Sequence, residues 1–88
     1  MIMIERKMYI AGSAKKFEDS PLAMAVQKAG EFQSSIYITN GNMRANAKSL
    51  MGMLTMGLDP TEPVVITAEG ADEAAACEAM EAFILSQV

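Results

Sequence analysis

Val64-Val65-Ile66-Thr67-Ala68 is the strongest β run in this chain. Its β-branched residues favour extended backbone, and its near-continuous apolar character suits a strand with neighbours on both sides. The chain has 88 residues, enough for one core and one domain spanning 1–88. The remaining segments must therefore supply the rest of that sheet and its cover.

Ile4, Arg6, Met8 and Ile10 alternate with Glu5, Lys7 and Tyr9, which predicts a strand ending near Ala11. Residues 12–16 form a small, polar loop. Phe17-Glu18-Asp19-Ser20-Pro21 announces a helix: Asp19 or Ser20 can cap it, and Pro21 suits a first-turn position that needs no N–H. Leu22, Ala25 or Val26, and Ala29 give this helix an apolar stripe, and Gly30 ends it. Ile36 and Ile38 alternate with polar neighbours in a second strand over 34–40. Asn40-Gly41 is a hairpin signal, because both residues accept positive φ. A short third strand over 43–47, antiparallel to the second, follows from it. Asp59-Pro60-Thr61-Glu62-Pro63 is a turn. Gly70-Ala71-Asp72-Glu73 opens the last helix with Asp72 as its cap, and Ala76, Met80, Phe83 and Ile84 form its buried stripe. The order β-α-β-β-α-β-α predicts a two-layer, open-faced α+β sandwich. Its expected core comprises Met8, Ile10, Val26, Ile36, Ile38, Met53, Met56, Val65, Met80, Phe83 and Ile84.

Between the third strand and the 59–63 turn, Ser49 can cap a two-turn helix that Gly57 closes. This helix is apolar nearly all round. Leu50, Met51 and Leu54 share one side, and Met53 and Met56 point to the other. In so small a protein, two apolar sides imply one facing the core and one offered to a partner. Ser49 lies at the edge of that second side.

Composition excludes several classes. The net charge of −4, with no basic cluster, argues against direct nucleic-acid binding. The single cysteine, Cys77, rules out an intrachain disulfide and fits a reducing compartment. No apolar run approaches the ~20 residues needed to span a bilayer, and the N-terminus lacks signal-peptide order. A soluble cytoplasmic protein is expected. The chain contains no histidine, which excludes phosphohistidine chemistry, imidazole metal ligands and a histidine general base. No metal-ligand spacing, phosphate-binding glycine loop or nucleophile triad is present, so neither a cofactor nor an enzymatic activity is expected.

From about Phe17 onward the sequence resembles HPr, the small carrier of the bacterial phosphoenolpyruvate sugar phosphotransferase system. Asn46-Ala47-Lys48-Ser49-Leu50-Met51-Gly52 is similar to the regulatory-serine segment of HPr from Gram-positive bacteria. Ala68-Glu69-Gly70-Ala71-Asp72-Glu73 is similar to the family's strand-to-helix junction. The resemblance implies an antiparallel sheet in the order 1-4-2-3 with all helices on one face. It also implies phosphorylation of Ser49 by an ATP-dependent kinase/phosphorylase, and recognition of the product by a transcriptional regulator of carbon catabolite repression. Lys48, Leu50, Met51 and Leu54 would form the docking surface. The carrier motif, Gly-Leu-His-Thr-Arg-Pro-Ala in the family, reads Lys16-Phe17-Glu18-Asp19-Ser20-Pro21-Leu22 here. Glu18 takes the histidine position and Ser20 the arginine position. The chain therefore resembles the histidine-less members known from bacilli, and departs from them in lacking the arginine.

Other readings of the same residues stay open. Ser49 can be an N-cap and nothing more, with the apolar helix a constitutive binding surface or a dimer contact. Glu18 and Asp19 suit a helix N-terminus through its dipole as well as they suit acid–base work. Glu78 and Glu81 read as a solvated face. Cys77, among alanines and far from any cation, reads as a core or half-buried thiol.

Overall fold

The computed structural model describes residues 4–8, 19–59 and 62–86. Its elements are β1 (Ile4–Met8), α1 (Asp19–Ala29), β2 (Ser35–Asn40), β3 (Met43–Asn46), α2 (Leu50–Met56), β4 (Val64–Glu69) and α3 (Glu73–Ser86). The strands form one antiparallel sheet in the order β1-β4-β2-β3. The apolar 64–68 run is thus a central strand, paired with β1 on one side and β2 on the other.

Register decides which residues face the helices. Ile66 lies opposite Ile38, and Ala68 opposite both Ile36 and Ile4. Since side chains alternate across a sheet, these residues share one face. On it Ile36, Ile38, Val64, Ile66 and Ala68 are buried. Leu22, Ala25 and Ala29 of α1, Met53 and Met56 of α2, and Ala76, Cys77, Met80 and Ile84 of α3 close over them. Each large side chain so buried contributes about 1.5–3 kcal/mol of transfer free energy. The opposite face, including Tyr37, Thr39, Val65 and Thr67, is half-buried and open.

Several expectations are corrected in detail. Val65 belongs to the open face, because alternation places it between core residues Val64 and Ile66. Val26 and Phe83 pack against the core but are only partly buried. Leu58, absent from the expected core, is completely buried. It follows Gly57, whose φ of 59° closes α2. Ile10 and the Met8 side chain lie outside the described residues.

The hairpin falls where the expected strands over 34–40 and 43–47 leave it, with Asn40 as the last strand residue. Asn40 pairs with Met43, so the loop is Gly41-Asn42, and Gly41 takes the positive φ of 62°. Asn40 remains in the strand and points inward. Its Oδ1 accepts from the Asp59 amide at 2.6 Å, and its Nδ2 approaches the carbonyls of Asp59, Glu62 and Pro63 at 3.2–3.3 Å. A residue chosen for turn chemistry instead ties down the connection between α2 and β4. The third strand stops at Asn46, because the Asn46 Oδ1 accepts from the Lys48 amide at 2.9 Å and turns the chain toward α2.

The start of α3 shows a similar redirection. Asp72 occupies the N-cap position, its carbonyl accepting from the Ala76 amide at 2.8 Å. Its carboxylate reaches across to the start of β2, accepting from the amides of Gln33 and Ser34 at 2.9 Å each and from the Ser34 hydroxyl. The Ser34 hydroxyl bond, followed by the Gln33 amide, holds the Asp72 carboxyl below its ordinary value. Gly70 makes the approach possible: a Cβ there would lie 2.6 Å from Ser34 Cα. Only glycine fits so close to another backbone.

Candidate functional site

The site begins at the turn into α2. Ser49 has extended backbone, φ −101° and ψ 110°, and its Oγ accepts from the Gly52 amide at 3.1 Å. This is the N-cap geometry expected of serine at a helix start. The Ser49 carbonyl accepts from the Met53 amide, and its own amide donates to the Asn46 carbonyl. The residue is half-buried. Gly52 leaves room for the hydroxyl, since a Cβ at that position would lie 3.2 Å from Ser49 Oγ.

The amphipathic phase of α2 fixes what surrounds the serine. Met53 is fully buried and Met56 nearly so, which anchors the helix to the sheet. Leu50 is 45% exposed and Met51 75%. Leu54, expected beside them on the outward side, is half-buried and packs against the core. The exposed apolar surface of α2 is therefore centred on Leu50 and Met51, next to the Ser49 hydroxyl. Lys48 is exposed but not idle: its Nζ donates to the Phe32 carbonyl at 2.7 Å and ties α2's start to the turn after α1.

Met24, on neighbouring α1, is a further large apolar side chain left in solvent, at 48% exposure. Sequence reasoning did not single it out. The signal was available, because Met24 falls two residues from the buried Leu22, on the opposite side of the helix.

Glu18 lies outside the described residues. Asp19 and Ser20 form the first positions of α1, followed by Pro21 in its first turn. Cys77 is a buried thiol whose Sγ lies 3.4 Å from the Ile4 carbonyl. Among the described residues no group of three or more His, Cys, Asp or Glu gathers to hold a metal. No described helix is long and apolar enough to cross a membrane.

A four-stranded antiparallel sheet in the order β1-β4-β2-β3, with its helices covering one face, defines the open-faced sandwich of the HPr phosphocarrier class. The family model described as PTS HPr component phosphorylation site matches residues 7–86. The chain belongs to the HPr family of the phosphotransferase system. It is 39% identical over 64 residues to the HPr-like protein Crh of Halalkalibacterium halodurans, covering 73% of this chain and 76% of that protein. It is 32% identical over 68 residues to Crh of Bacillus subtilis, covering 77% and 80%. Among solved structures, HPr from Bacillus anthracis superposes with a TM-score of 0.79 at 29% identity, over 92% of this chain and 95% of that one. The crystal structure of B. subtilis Crh, an intertwined dimer with a swapped domain, gives a TM-score of 0.73 at 28% identity, over 89% and 90%.

Proposed function

We propose that this chain is a regulatory, non-carrier member of the HPr family, switched by phosphorylation at Ser49. The observation that carries this reading is the placement of the Ser49 hydroxyl at the start of α2, beside the exposed Leu50 and Met51. A kinase/phosphorylase-type enzyme would transfer the γ-phosphoryl group of ATP to Ser49 Oγ. The product places a dianion next to an apolar surface, a combination that an arginine-bearing partner can grip. A transcriptional regulator of catabolite repression is the partner class that the family suggests. Likeness to the HPr-like protein Crh of B. subtilis, a catabolite repression protein, supports a regulatory role.

The absence of histidine supports the non-carrier half. In the sequence Glu18 replaces the family's acceptor histidine, and a carboxylate repels an incoming phosphoryl group. Ser20 cannot supply the guanidinium that would hold the phosphate bidentately. The protein acts in the cytoplasm by binding, without catalysis or cofactor.

Lys48 enters this reading as a brace. Its ammonium holds the Phe32 carbonyl, fixing the approach to α2, while Leu50 and Met51 supply most of the contact area and the half-buried Leu54 adds to it. A second reading is favoured by the bond from the Gly52 amide to Ser49 Oγ: the serine is a cap only, and α2 is a constitutive docking surface. Incubation with ATP and an HPr kinase/phosphorylase, followed by intact-mass measurement, separates the two. One added phosphate, absent in Ser49→Ala, supports the switch. No added phosphate leaves the constitutive module.

A further inference from the structure

The sheet face turned away from the helices carries a recess of about 460 Å³, lined by Glu5, Thr39, Arg44, Val65 and Thr67. Register arranges these residues into two halves. Arg44 on β3 lies directly opposite Thr39 on β2. Glu5 on β1 lies directly opposite Thr67 on β4. Val65, opposite Thr39 on the adjoining strand, is the apolar floor between the two pairs. One end thus offers a guanidinium and a hydroxyl, and the other a carboxylate and a hydroxyl.

The guanidinium end is preorganised. Arg44 sits 4.3 Å from the centroid of the Tyr37 ring, its diagonal neighbour across the strand pair. Stacking restricts a side chain that would otherwise lose rotamer freedom on gripping an anion. Neither Glu5 nor Arg44 has an ion-pair partner among the described residues. They stand on the outer strands β1 and β3, too far apart across the sheet to pair with each other.

We propose that this recess binds a small zwitterion whose carboxylate meets Arg44 and Thr39 and whose ammonium meets Glu5 and Thr67. Glu5 and Arg44 stand on the outer strands β1 and β3, three strand spacings or ~14 Å apart, and their partners Thr67 and Thr39 lie on the inner strands, one spacing across and two residues along, so the charges of the occupant stand ~8–12 Å apart. That separation excludes free α-amino acids, whose charges are adjacent, and fits ω-amino acids or dipeptides. A short methylene or peptide chain between the charges would cross Val65. The recess lies on the face opposite the α2 surface, so this binding is independent of any chemistry at Ser49. The volume falls within the range of small-molecule sites. Its openness to water makes the binding weak and salt-sensitive.

The test titrates isotope-labelled protein with ε-aminocaproate at low ionic strength and follows amide shifts by NMR. Hexanoate and hexylamine, each carrying one charge on a similar chain, are the controls. The expected result is saturable shifts at Tyr37, Thr39, Arg44, Val65 and Thr67 with the α2 amides unmoved. Each control should bind at least ~10-fold more weakly, and Arg44→Gln and Glu5→Gln should each weaken ε-aminocaproate by a similar factor. Absence of saturable shifts overturns the proposal. So do shifts centred elsewhere, equal binding of either control, or unchanged affinity in both variants.

Discussion

Ser49 and Gly70 carry different kinds of constraint. Ser49 satisfies one of the free N–H groups at the start of a seven-residue helix. Ser49→Ala should therefore cost about 1 kcal/mol of stability, read as a lower urea midpoint at unchanged slope. A loss several times larger would mean that the hydroxyl has a further structural role. Gly70 is required by space rather than by hydrogen bonding, since its added Cβ would overlap the Ser34 backbone. Gly70→Ala should destabilise by on the order of 3 kcal/mol, as overpacking against backbone does, and should loosen the junction between β4 and α3. A variant as stable as the parent would show that this junction relaxes freely.

At the scale of elements, long-range polar ties hold the connections in place. Asp72 links α3 to the start of β2, and Asn40 links β2 to the segment before β4. The first of these depends on pH. Because the Asp72 carboxyl is held below its ordinary value in the folded state, its contribution to stability is complete above the unfolded value of about 3.9. It is lost as pH falls through the lowered folded value. The stability difference between the parent and Asp72→Asn should therefore be largest near neutrality and shrink in acid. A pH-independent difference, measured by urea unfolding across that range, would contradict this. Asn40→Ala removes a buried group that serves one amide and several carbonyls. Leaving those partners unsatisfied should cost about 2–3 kcal/mol, measured by thermal or urea unfolding.

These ties also mark the limit of what the sequence made legible. The strands, the helices and the central place of 64–68 follow from hydrophobic period, which is a local property. Ser49 as a cap follows from residue type and its position before an apolar run. Asn40 reads as turn chemistry because Asn-Gly is a local signal, and nothing local reveals that its amide faces Asp59. Asp72 reads as a cap for its own helix and occupies that position, but its carboxylate reaches Ser34, 38 residues away at the start of β2. Helical phase places Leu54 outward, yet the neighbouring core is near enough to half-bury it. Side chains that bridge distant segments, and the width of an exposed face, depend on the assembled fold.

For the molecule as a whole, the two faces divide the work. The helical face carries α2 with Ser49, Leu50 and Met51, and the open sheet face carries the zwitterionic recess. The buried Met53 and Met56 keep α2 seated whether or not its outward side is occupied. Events at Ser49 should then alter the surface without altering the fold. The most direct test measures binding of the unmodified and Ser49-phosphorylated proteins to a catabolite-repression transcriptional regulator, with Ser49→Ala and Met51→Glu alongside. Phosphorylation should tighten binding at least ~10-fold, and Ser49→Ala, passed through the same kinase treatment, should gain nothing. Met51→Glu should lose the gain while keeping the parent's circular dichroism spectrum. Equal affinity of the phosphorylated and unmodified proteins would contradict a switch at Ser49.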